Sequence, residues 1–379
     1  MKKYILLIGL LALNITLIFA QMPVSKNIDI KSIIPADDEV GLLNGLDTLL
    51  SHAANGTVLI GEINPGDARL SRDILNTLKG IKSNEKEKIS NYFKPQLINL
   101  YKTCDSQYMA EVAFINENSL RAVIDLIANE NNGHFTFSIP LYYFTHNWKV
   151  TTIGNITYHY PDSMNPKRAK IFDRKNTLIA TKLGLQPEKF DFYLCNNYQD
   201  ILHLHGFEYD SESAGVVTDG YGPGDSTIFS IMHNEDFSHD IFHYYAAKIR
   251  KNSRNSAAEE GIAYSWGNAY YTDEHGEMIT QRQMVVKFKA YLQKYHQSDL
   301  FELFSKGPFI FGDETKVRSL LASLICDEVE RKGGIAAIKE LIDCGRGDDN
   351  YFKIVAKYTG INAANFDVRV KELLEKYNG

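Results

Sequence analysis

Apolar positions recur at helical spacing over 39–50, 68–81 and 89–101, which predicts three amphipathic helices near the start of the chain. The period then changes. Residues 107–115 and 134–150 alternate or run β-branched and aromatic, as half-buried strands do. Helices followed by strands predict a small α+β domain over 36–149, of no assignable chemistry. A second domain is expected over 150–379. It opens with a strand over 151–160, a helix over 166–183 ended by Gly184, and a strand over 190–195. A short helix over 198–205 closed by Gly206 follows, then strands over 214–219 and 227–232. From about 279 the pattern is helical to the end, over 284–295, 316–332, 335–342, 351–358 and 366–377.

The first twenty residues have a different character. Lys2 and Lys3 precede an almost wholly apolar run from Tyr4 to Phe19, and Ala20 offers a small residue for cleavage. That is the pattern of a signal peptide over 1–20, with Gln21 as the mature N-terminus and 21–35 as a flexible leader. The expectation is an exported protein, periplasmic or extracellular, with no stable membrane insertion once the leader is cleaved. No later apolar stretch reaches the roughly 20 residues that a spanning helix needs.

Composition narrows the partners. A net charge of −6 with dispersed Lys and Arg argues against nucleic acid, which demands a basic face. Of the four cysteines, Cys326 and Cys344 are the pair able to bridge in an oxidising compartment, and four buried thiols are the alternative. The glycines of 221–225 (YGPGD) lack the Lys-Ser/Thr of a phosphate loop and mark a turn.

The chemistry lies in the segment Ser238-His239-Asp240-Ile241-Phe242-His243. Ser238 suits the N-cap of a helix beginning at His239. Four residues turn a helix by roughly 400°, so His239 and His243 share a face and can bind one divalent ion. Ile241 and Phe242 then face the core. On its own, His-x-x-x-His is a common accident in a chain with 11 histidines.

Downstream stands Glu260-Gly261-Ile262-Ala263. With the histidine pair, this resembles the peptidase-MA-like gluzincin metallopeptidases, where His-Glu-x-x-His is followed on the next helix by Glu-Gly-x-Ala. The resemblance covers about 150–379, with Tyr358 to Ile361 and Phe366 similar to the closing helix of that family. It implies a zincin-like domain with a mixed sheet, two metal-bearing helices and a helical C-terminal subdomain. It also implies zinc held by His239, His243 and Glu260, and a peptide or protein substrate hydrolysed by metal-activated water. The small residues are expected to let the second helix approach the first.

One departure matters. Where the family has its general-base Glu, this chain has Asp240, shorter by one methylene, or roughly 1.5 Å. A misplacement of about 1 Å costs on the order of 100-fold in rate. Three readings follow: a working peptidase with Asp240 as base, a weak or inactive zinc-binding homologue that binds peptides or surfaces, or a structural envelope protein without zinc in which the histidine pair is fortuitous. Glu259 is a poorer candidate base, since it points roughly 100° away from Glu260 on a helix. Oxyanion stabilisation falls to Tyr264, Tyr270, Tyr271 or His275, among which the sequence does not choose. The strand over 227–232 is either an edge that pairs with extended substrate or an ordinary core strand. His233 is placed to line the cleft, and His203 and His205 suit a helix C-terminus better than a metal.

Overall fold

The computed structural model describes residues 23–27, 29–31, 33–213, 220–221, 226–310 and 315–377. The leader over 1–20, the strand expected over 214–219 and most of the YGPGD turn lie outside the described residues. The chain is α+β and forms two units, one from 1–146 with 199–217 and one from 147–198 with 218–379.

In the first unit, β1 (Ser25–Lys26) pairs in parallel with β2 (Lys94–Cys104). The antiparallel ladder continues through β3 (Gln107–Asn116), β4 (Ser119–Asn131) and β5 (His134–Ser138). Helix α1 (Ala36–Asn55) buries Leu42, Leu46, Leu49, Leu50 and Ala53, a single face at helical spacing. Helix α2 (Ala68–Asn76) is shorter than the expected 68–81.

The helix expected over 89–101 is the strand β2. Leu97 and Leu100 are buried three apart because the ladder shifts register between Leu97 and Asn99. A β-bulge therefore imitates a helical spacing in the sequence. The strand expected over 134–150 is also broken. Pro140 cannot donate to a ladder, and its carbonyl instead opens α3 (Leu141–Thr145).

The second unit begins with a hairpin, β6 (Lys149–Ile153) and β7 (Ile156–Tyr160), where one strand was expected over 151–160. The Gly154-Asn155 pair makes the two-residue turn that divides it. Helix α4 (Pro166–Leu183) starts on an Asn165 cap and ends at Gly184 as expected. It leads to β8 (Phe190–Leu194), parallel to β7.

The chain then joins the first unit through α5 (Tyr198–Leu204) and β9 (Phe207–Asp210). Strand β9 pairs with β4, and Arg121 meets Asp210 at 2.8 Å. The segment 199–217 was expected in the second domain. Its pairing with β4, a strand missed in the sequence, moves it to the first.

Back in the second unit, β10 (Gly220–Tyr221) and β11 (Thr227–Ser230) complete a mixed sheet of order β10-β11-β8-β7-β6. Helices α6 (Ser238–Ile249), α7 (Ser256–Gly267), α8 (Gln281–Tyr295) and α9 (Leu300–Lys306) follow. After the β12–β13 ribbon (Phe309–Ile310, Thr315–Lys316) come α10 (Val317–Ile342), α11 (Asp348–Thr359) and α12 (Phe366–Lys376). The helices expected over 316–332 and 335–342 are the two arms of α10, kinked where Gly334 takes φ 64°. Leu320, Leu321, Leu324 and Ile325 of α10 anchor the core of this unit.

All four cysteines are free thiols, so Cys326 and Cys344 are not bridged. Among the described residues, no helix is long and apolar enough to cross a membrane.

Candidate metal centre

Helix α6 follows β11 through a short loop that is buried from Asn234 to Phe237. It begins one residue earlier than expected, with Phe237 at the cap position. Ser238 does not cap it: its N–H, at 3.0 Å, and its hydroxyl both donate to Asp236 Oδ1. Asp236 is held in turn by Lys175 at 3.0 Å. Ile241, Phe242, Tyr245 and Ala246 are fully buried, which fixes the rotation of α6 and turns His239 and His243 to its other side.

Helix α7 starts on Asn255, whose side chain accepts from the N–H of Ala258 at 3.1 Å. The small residues of α7 serve two contacts, and only one of them was expected. A Cβ on Gly261 would lie 2.8 Å from Cys326 Sγ and 2.9 Å from Ala322, so Gly261 seats α7 against α10. Gly267 is the residue that lets α7 meet α6, because a Cβ there would lie 2.7 Å from the His239 backbone.

This packing brings three ligand-type side chains together, and His239, His243 and Glu260 can hold a metal ion. His239 Nε2 and His243 Nε2 are 3.4 Å apart. Glu260 places Oε2 3.3 Å from His239 Nε2 and Oε1 3.4 Å from His243 Nε2. Ligand atoms about 2.0–2.1 Å from a tetrahedral ion lie about 3.3–3.4 Å from one another. The imidazole nitrogens stand at that spacing, and each has one of the two Glu260 oxygens at a similar distance.

His239 is oriented from behind by a hydrogen bond, whereas His243 has a carboxylate behind it but no hydrogen bond on Nδ1. His239 Nδ1 lies 3.0 Å from the carbonyl of Asn268 and donates to it, which turns Nε2 toward the cluster. Asn268 has φ 73°, rare for a residue other than glycine, and that backbone aims its carbonyl. Behind His243, the buried carboxylate of Glu259 has Oε2 3.5 Å from Nδ1. Glu259 is paired with Arg250, and with Arg254 at 3.2 Å. Arg254 also bonds Glu260.

Burial alone would raise the Glu260 carboxyl. The bond to His239 and the charges of His243, His239 and Arg254 outweigh it and hold Glu260 at about 2. Asp240 goes the other way: burial pushes it above the usual range, and the pull of His239, His243 and Arg254 does not offset it.

The residues expected to act on a substrate are placed unevenly. Asp240 has both imidazoles, Glu260 and Arg254 as its charged neighbours. Tyr264 stands edge-on to His239, with ring centroids 5.0 Å apart, and its buried hydroxyl has no hydrogen-bond partner. Tyr270 is 5.6 Å from the same imidazole, and Tyr271 meets Tyr270 at 5.1 Å. His275 sits on an exposed turn, 3.6 Å from Glu274. His233 is exposed and lines a separate pocket. His203, 3.2 Å from Glu208, and His205, pushed down to about 4 by burial, belong to the first unit.

Strand β11 lies between β8 and β10 with all four of its residues buried, and β10 covers its outer side at Phe229 and Ser230. Asn268, Arg250 and Arg254 are supporting groups that sequence reasoning missed. The adjacent acids Glu259 and Glu260 with two arginines just upstream were the one available signal. No protein-family model matches the chain, and no curated protein matches it.

Proposed function

We propose that the chain is an exported zinc metallopeptidase, and the observation that carries this reading is the cluster of His239, His243 and Glu260, with the imidazole nitrogens 3.4 Å apart and one Glu260 oxygen 3.3–3.4 Å from each. Two imidazoles and one carboxylate form a donor set that zinc favours, and three protein ligands leave a fourth position open. Zinc in such a site lowers the pKa of bound water to about 7 and polarises a carbonyl.

The chain's own residues supply the rest. Asp240 takes the proton as the water oxygen adds to the peptide carbonyl carbon. It returns that proton to the amide nitrogen as the C–N bond breaks. The Tyr264 hydroxyl, which has no protein partner, donates to the carbonyl oxygen as negative charge develops there. Lys2, Lys3 and the apolar run behind them support export.

A second reading has its own support. Asp240 is one methylene shorter than a glutamate, and Arg254 is bonded to the Glu260 carboxylate. Both features suit a zinc-holding protein that binds peptides without cleaving them. Metal analysis and a peptide-library digest separate the readings. Wild type and Asp240→Asn should each hold one zinc per chain, His243→Ala none, and only wild type should cleave. Zinc retained without cleavage leaves the binding role. No zinc in wild type after reconstitution at neutral pH removes both readings.

A further inference from the structure

The second unit carries another pocket, of about 580 Å³, that the metal reading does not use. It opens beyond the carboxyl ends of the three parallel strands. Asp162 follows β7, Cys195 follows β8, and His233 and Glu235 follow β11. Crevices at that end of a parallel sheet are where ligands collect. The size is that of a small-molecule site.

Two buried atoms give the pocket its chemistry. Glu235 is 4% exposed; one carboxylate oxygen accepts the Asn165 N–H, while Oε2 has no partner. Arg168 uses its terminal nitrogens on the carbonyl of His233 at 3.2 Å and the carboxylate of Glu277 at 2.6 Å. Its Nε is buried and without a partner. His233 holds its carbonyl toward Arg168 from a backbone at φ 52°, a conformation that costs energy outside glycine. Burial also raises the Glu235 carboxyl above its ordinary range, against the opposing bonds from the Asn165 and Glu235 N–H groups.

A lone metal cation does not suit a pocket with a guanidinium in its wall, and a simple anion does not suit one with a buried glutamate. A ligand bearing both charges suits it. We propose that this pocket binds a free α-amino acid, its ammonium on Glu235 Oε2 and its carboxylate on Arg168 Nε. The site is separate from the metal triad and goes beyond the peptidase reading.

The test is calorimetric titration of the purified protein with glycine, alanine, leucine, lysine and glutamate, beside propylamine and propionate. At least one amino acid should bind once per chain, and the two single-charge probes about tenfold more weakly or worse. Glu235→Gln keeps an acceptor for Asn165 but offers the ammonium an amide, and should weaken binding about tenfold or more. Ser163→Trp, on the exposed wall of the pocket, should block it without touching the core. It decides the matter if melting shows Glu235→Gln to be misfolded. His243→Ala should bind amino acids as wild type does, so failure of the metal reading leaves this result intact. No amino acid bound, binding unchanged in the folded variants, or binding lost in His243→Ala each overturns the proposal.

Discussion

Glu260 in the second unit and Asp125 in the first are both largely withdrawn from water, and they reach opposite states of ionisation. The Asp125 side chain lies in a residue only 3% exposed, and burial with the charges of Glu208 and Glu111 pushes it up to about 8. Glu260 faces two imidazoles and Arg254, and is held at about 2 in spite of burial. Desolvation acts in the same direction on both, so the neighbours decide. A metal ligand must be deprotonated, and the Glu260 carboxyl meets that condition at neutral pH. Asp125 instead keeps a proton and shares a hydrogen bond with Glu208.

The sharpest break in this contrast is Glu260→Gln. Removing the anionic donor should lower zinc affinity by more than about 100-fold, beyond the range of outer groups, as read by competition with a chelator. Asp125→Asn, tested beside it, should leave affinity unchanged. Retention of zinc within about tenfold in Glu260→Gln means that the triad is an ion-pair cluster and not a ligand set.

A smaller effect tests the third buried carboxylate. Glu259 touches no metal position and stands behind His243 Nδ1. Outer partners of ligating histidines are worth about 10–100-fold in metal affinity. Glu259→Gln should fall in that range, with zinc stoichiometry preserved at saturating metal. An unchanged affinity assigns Glu259 to the ion pairs with Arg250 and Arg254 alone.

What the sequence made legible follows from how local each signal is. Helix α4 has an Asn cap at one end and a glycine at the other, and its bounds were readable to the residue. The two histidines lie one helical turn apart, so their common face needed no tertiary information. Strand β2 was misread because its bulge depends on pairing with β3, a partner distant in helical terms but decisive for register. Segment 199–217 was misplaced for the same reason, since only its ladder with β4 binds it to the first unit. At the site, the small residues of α7 were expected to seat it against α6, whereas Gly267 makes that contact and Gly261 serves α10, some sixty residues on. Asn268 was invisible, because it acts through a carbonyl that every residue possesses.

The remaining prediction concerns stability rather than metal affinity; it lies at Asp125, and its sign can be worked out. An ordinary aspartate, as in the unfolded chain, releases its proton near 3.8, whereas native Asp125 holds it to about 8. Between those values the native state binds more protons than the unfolded one. Stability of the first unit therefore falls as pH rises through this window and levels off above it. Below about pH 4 both states are protonated and the group contributes no difference. Asn in its place still donates to Glu208 but cannot ionise. Asp125→Asn should match wild type at pH 4 and be the more stable of the two at pH 9, with the gap opening between. Denaturant titrations at intervals across that range measure the difference, in which contributions from groups away from Glu111 and Glu208 cancel. A gap that stays flat with pH means Asp125 ionises normally, and burial beside Glu111 and Glu208 is then tolerated as a charge. In that case neighbours would not be what separates the two carboxylates, and the low value at Glu260 would need another cause.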